Sequence, residues 1–157
     1  MNKTAEQYLE KLGAGRALVE RVEAAVRAYE FLCGSEPERI FVCNTVDPET
    51  DEQSYSSIWG FHGKFWMEDR GIGSSWDVDI SSYADGIYYL GIQYEGLELP
   101  NGVSESSRLS VEIQTDKLAY SSMSAVGLNC LSLLNIIDAL FRPNLSQQTA
   151  RRSKRQG

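Results

Sequence analysis

The spacing of the apolar residues changes twice along the chain, and that double change limits the fold more than any single motif. Tyr8, Leu12, Gly15, Val19, Val22, Val26 and Tyr29 recur at steps of three and four, which draws one stripe on an amphipathic helix. Thr4 can cap this helix, and Gly34 with the following Ser-Glu-Pro-Glu closes it. Gly13 and Gly15 each cost roughly 1 kcal/mol inside a helix and mark a kink or a late start, so Arg16 to Cys33 is its unbroken part.

After Pro37 the period is two. "RIFVCNTV" at 39–46 predicts a first strand, and the polar acidic run Asp47 to Ser57 predicts a loop. "IWGFHGKFWMEDR" at 58–70 reads as one long strand that passes into a tight return over Glu68 to Ser75. Its alternation sets Trp59, Phe61, Phe65 and Met67 on a core face and Ile58, His62, Lys64 and Trp66 on the reverse. "GIGS" then turns the chain, "SWDVDIS" and "IYYLGIQYEG" predict two more strands, "RLSVEIQTD" a fifth, and 117–126 a sixth.

The spacing changes again at Leu128. Leu128, Leu131, Leu133, Leu134, Ile136, Ile137, Leu140 and Phe141 wrap most of a helix and leave Asn129, Ser132, Asn135 and Asp138 as a polar stripe, before Arg142 and Pro143 stop it. The expected fold is α+β and two-layered, with an N-terminal amphipathic helix, an antiparallel meander of five to six strands and a C-terminal apolar helix. At 157 residues, one domain over 1–145 with a flexible basic tail at 146–157 is expected.

Charge narrows the function. Residues 38–116 carry four basic and fifteen acidic side chains, a balance of 4 − 15 = −11, and such a body repels phosphate backbones. Nucleic-acid binding through the body is therefore not expected; Arg151, Arg152, Lys154 and Arg155 of the tail are too few to define the protein. Cys33, Cys43 and Cys130 lack CxxC spacing and sit among apolar neighbours, which suits reduced, buried thiols in a cytoplasmic protein rather than a disulfide framework or a zinc site. No leader-like apolar run opens the chain and no stretch reaches 18 apolar residues, so membrane spanning is not expected either.

Few residues carry chemistry. His62, the only histidine, shares its predicted face with Lys64 and Trp66 and could serve as an acid or base. Asp77 and Asp79 leave one face of a strand about 7 Å apart and could hold a hard cation or act as an acid–base pair. A solvated strand surface has the same pattern, and no further clustered ligands support a metal. The glycines of "GIGSS" precede a strand, so they lack the helix N-terminus that phosphate binding needs.

The aromatics crowd residues 59–94, and Tyr89 and Trp66 fall on the reverse face with the acidic residues. The expected function is a non-enzymatic protein-interaction or regulatory domain that binds a protein or peptide through an amphipathic sheet face or helix flank. His62, Lys64, Trp66, Asp77, Asp79 and Tyr89 are its candidate surface, with no cofactor and no metal. The apolar C-terminal helix is either core or an interface for a second copy, making a homodimer. The alternative is a small-molecule-binding protein or hydrolase with a pocket in a curved sheet, using His62 and the acidic residues.

Overall fold

The computed structural model describes residues 1–73, 75–98, 102–115 and 120–145. The predicted basic tail at 146–157 lies outside the described residues. The chain divides into two compact units, one of Met1–Asn44 with Gln53–Ser81, the other of Thr45–Glu52 with the chain from Ser82 onward.

Among the described residues the fold is α+β with three α-helices, but the strands form two antiparallel sheets instead of one meander. Helices α1 (Lys3–Leu12) and α2 (Arg16–Cys33) precede β1 (Arg39–Val46), β2 (Gln53–His62), β3 (Phe65–Asp69) and β4 (Val78–Ser82), which pair in the order β1-β2-β3-β4. Strands β5 (Tyr89–Glu95), β6 (Arg108–Gln114) and β7 (Tyr120–Val126) form the second sheet, and α3 (Asn129–Ile136) follows. The meander breaks after β4 because the next backbone groups find other partners. Ile87 N–H donates to Asn144 O at 2.7 Å, and Tyr88 N–H to Gln114 O at 2.7 Å. Those bonds commit the segment before β5 to the second unit.

The single predicted helix is two. Gly13 adopts φ 71 and ends α1 with its N–H on the Glu10 and Leu9 carbonyls, a left-handed position that glycine takes without steric cost. Asn2, not Thr4, caps the helix, accepting from Ala5 N–H at 2.8 Å. Ala5, Leu9, Val22, Ala25, Val26 and Tyr29 then pack with Ile40, Val42, Ile58 and Met67 into the core of the first unit.

The opening half of the predicted acidic loop is a loop, but β2 already starts at Gln53. The predicted long strand 58–70 is a hairpin. Gly63 takes φ 58 at the first central position of a two-residue turn with Lys64, as a type II′ connection requires. The turn pairs Phe61 with Trp66, Gly60 with Met67 and His62 with Phe65. Paired residues share a face, so an odd-numbered residue of β2 lies beside an even-numbered one of β3. Trp66 therefore moves from the predicted reverse face to the side of Trp59, where the rings sit 5.8 Å apart and both are buried. Phe65, expected in the core, is half exposed. The helix-facing side is Ile58, Gly60 and Met67, not Trp59 and Phe61; a Cβ on Gly60 would come within 3.2 Å of Pro37 and 3.4 Å of Tyr29.

In the second unit the register aligns Ile92, Val111 and Met123 on one face and Tyr89, Gln114 and Tyr120 on the other. Helix α3 packs on β6 and β7, burying Cys130, Leu133 and Ile136. Of the three cysteines expected to be buried, Cys43 and Cys130 are and Cys33, at the end of α2, is exposed; burial pushes the Cys130 thiol up to about 11, which makes it an inert packing group. Asn129, predicted on a polar stripe, is buried in the first turn of α3. Regular α structure ends at Ile136; the chain continues as a π-helical turn, Ile137–Phe141, and a 3-10 turn, Arg142–Asn144, that contains Pro143.

Candidate functional site

The buried stripe of α2 runs through Val22, Ala25, Val26 and Tyr29. Two residues beyond Tyr29 is about 200° around the helix, so Phe31 is carried off the core face. It stands 77% exposed. The Trp76 ring, 46% exposed, lies 6.3 Å from it at 42°. Leu32 is exposed beside Phe31. Apolar groups of this size leave water readily when covered, about 25 cal/mol per Å².

Trp76 belongs to the β3–β4 connection, which is held by one carboxylate. The Asp69 side chain is fully buried and accepts from Arg21 Nη2 at 2.7 Å, Arg21 Nη1 at 3.3 Å, Gly71 N at 2.8 Å and Asp77 N at 3.4 Å. Arg21 Nε donates to Gly71 O at 2.8 Å, and Arg70 N to Asp77 O at 2.9 Å. A two-pronged arginine contact fixes the carboxylate plane as well as its charge. The connection is thereby tied to α2 at its first end, through Arg21, and closed on itself at Asp77. A Cβ on Gly71 would fall 2.1 Å from Ser75 O, so this knot closes only over glycine.

Between α2, the first half of β2 and this connection runs a groove of about 710 Å³, lined among others by Arg21, Arg27, Tyr55, Ile58 and Ile72. Ile72 is 86% exposed. Arg27 precedes Phe31 by one helical turn on α2, so groove and aromatic pair border the same flank.

The residues expected from sequence are dispersed. Lys64 is exposed in the hairpin turn and Trp66 is buried. Asp79 pairs with Arg70, which also approaches Glu68 Oε1 at 3.4 Å; Asp77 is exposed beside Asp69. Burial pushes the Glu68 carboxyl above its ordinary value, opposed by Arg70 and reinforced by Asp79 and Asp77. Tyr89 lies over Gly91, its hydroxyl 2.6 Å from where a glycine Cβ would stand, and meets Tyr120 edge to face at 6.1 Å. That is a packing role on the second sheet. Among the described residues no group of three or more His, Cys, Asp or Glu side chains could hold a metal, and no helix is long and apolar enough to cross a membrane.

His62 is 41% exposed and sits with residues that the sequence did not single out. Its Nδ1 lies 3.5 Å from Glu38 Oε1 and its Nε2 3.4 Å from Ser35 Oγ. Of the residues missed, Phe31 could have been found by its position off the helical stripe. Asp69, Ser35 and Glu38 carry no local signal. No protein-family model, no curated protein and no solved structure matches the chain.

Proposed function

We propose that the chain is a protein-interaction domain that binds a protein or peptide segment on the flank of α2. The observation that carries this reading is the exposed Phe31–Trp76 pair. Aromatic anchors beside an arginine are the usual energetic centre of a protein interface, and single anchors of this kind contribute about 2 kcal/mol or more when buried. The Asp69–Arg21 knot supports the reading, because a rigid platform loses little entropy when it binds. The role asks for no catalytic group. A helix flank is preferred to the sheet face, on α2 rather than on the C-terminal helix whose flank the sequence offered, since Trp66 has left the sheet face and Tyr89 is engaged by Gly91 and Tyr120.

A second copy of the chain is a further partner on this reading, supported by Leu128 and Leu131, both exposed on or beside α3. Sedimentation of Leu131→Asp tests it: dissociation of a dimer is expected, and an unchanged monomer in both proteins removes it. The main reading is tested by placing the photocrosslinker benzoylphenylalanine at position 31 and, separately, at the exposed Phe65, in the protein's source cells. A discrete adduct from position 31 and none from 65 is expected. No adduct, or the same adducts from both positions, overturns the proposed site.

A further inference from the structure

We propose that Ser35, His62 and Glu38 form an acyl-transfer site in which Ser35 Oγ attacks short carboxylic esters. The two ring nitrogens of His62 face different partners, a hydroxyl at 3.4 Å and a carboxylate at 3.5 Å. Nδ1 is shut off from solvent and makes no hydrogen bond of good geometry among the described residues. Glu38 Oε1 is the carboxylate within 3.5 Å of Nδ1, and its negative charge favours the tautomer with the proton on Nδ1, which leaves the basic lone pair on Nε2, facing Ser35. A hydroxyl, an imidazole and a carboxylate in that order are what a nucleophilic relay requires, and apo sites of this kind are commonly looser than 3.2 Å.

The backbone holds the three groups in place. Glu38 N–H donates to Phe61 O at 2.8 Å, which fixes the Glu38 backbone next to His62. The His62 ring meets Tyr29 edge to face, with centroids 6.4 Å apart at 68°. Gly34 at φ 82 turns the chain out of α2 directly before Ser35. The amides of Ser35 and Glu36 make no hydrogen bond among the described residues. The amide after the nucleophile is the usual oxyanion donor. The negative end of the α2 dipole lies close by, so slow turnover is expected. With Glu38 67% exposed and His62 41% exposed, the site opens on the surface and suits short acyl chains.

The chemistry balances without a cofactor. Ser35 Oγ forms a bond to the ester carbonyl carbon while His62 Nε2 takes its proton and the carbonyl electron pair moves onto oxygen. Collapse of that oxyanion breaks the carbon–oxygen bond to the alcohol, which leaves with the proton from His62. Water then repeats both steps on the seryl ester, releasing the carboxylic acid and restoring the hydroxyl.

The test treats the full chain with an alkyl fluorophosphonate, from which a nucleophilic serine displaces fluoride. Tryptic peptide 28–39 contains Ser35 as its only serine, so fragment spectra locate the label. Labelling of Ser35 is expected, slowed about 100-fold by His62→Gln. Glu38 acts as a positioning residue: Glu38→Gln should slow labelling about 10-fold and Glu38→Asp should restore most of it. An unlabelled peptide, or equal rates in the native and heat-denatured chain, overturns the proposal. So does a His62→Gln rate equal to that of the parent; if that variant does not melt cooperatively, an unchanged rate in Glu38→Gln does the same.

Discussion

A buried carboxylate costs several kcal/mol unless its oxygens are met, and at Asp69 the Arg21 guanidinium and the Gly71 and Asp77 amides meet them. Arg21→Ala leaves that charge buried without its counterion. The expected loss is about 3–5 kcal/mol, read as a lower denaturant midpoint. Glu68 behaves in the opposite sense. Its carboxyl holds a proton more tightly in the folded chain than in the unfolded one, because burial outweighs the attraction of Arg70. The associated stability is full below the ordinary value of 4.5 and is lost as pH rises through the raised folded value. Glu68→Gln should therefore melt above the parent at pH 7 and converge with it below 4.5, and equal melting temperatures at both pH values would contradict this. Neither role was legible in the sequence. "MEDR" reads as a strand end passing into a tight return, because the complete burial of Asp69 depends on an arginine 48 positions earlier.

At the scale of elements, alternation fixes a face only as long as the strand is unbroken. One glycine at φ 58 reversed it. Gly63→Val forces a branched residue into that conformation and should cost about 1–2 kcal/mol, with nothing within 4 Å to add a clash. A melting curve that does not move would contradict the turn. The helices were more legible, since the stripe from Val19 to Tyr29 is the buried face of α2 almost as spaced. The final helix was legible in extent but not in its inner and outer sides. Being apolar over most of its girth, it offered no contrast from which to tell buried Leu133, Ile136 and Phe141 from exposed Leu131. Ile137→Asp places a charge in the buried set and should destabilise by about 3 kcal/mol or more, whereas Leu131→Asp, compared with the parent at a concentration where both are monomeric, should leave the melting temperature nearly unchanged.

For the whole molecule, the α+β class followed from the changes of period, while the division into two sheets did not. Strands β4 and β5 are neighbours in sequence, and partners far along the chain, at Asn144 and Gln114, draw the segment between them into the second unit. The candidate site was likewise formed by distant residues: Phe31 at the end of a helix and Trp76 before an edge strand meet only in the folded unit. The central claim is that this pair anchors a partner. The most direct measurement is the affinity of the partner crosslinked from position 31 for the parent chain and for Phe31→Ala, Trp76→Ala and Phe65→Ala. Losses of about 30-fold are expected for the first two variants, less than multiplicative when combined because the rings touch, with Phe65→Ala binding as the parent does. Equal affinity across all of them would contradict the account.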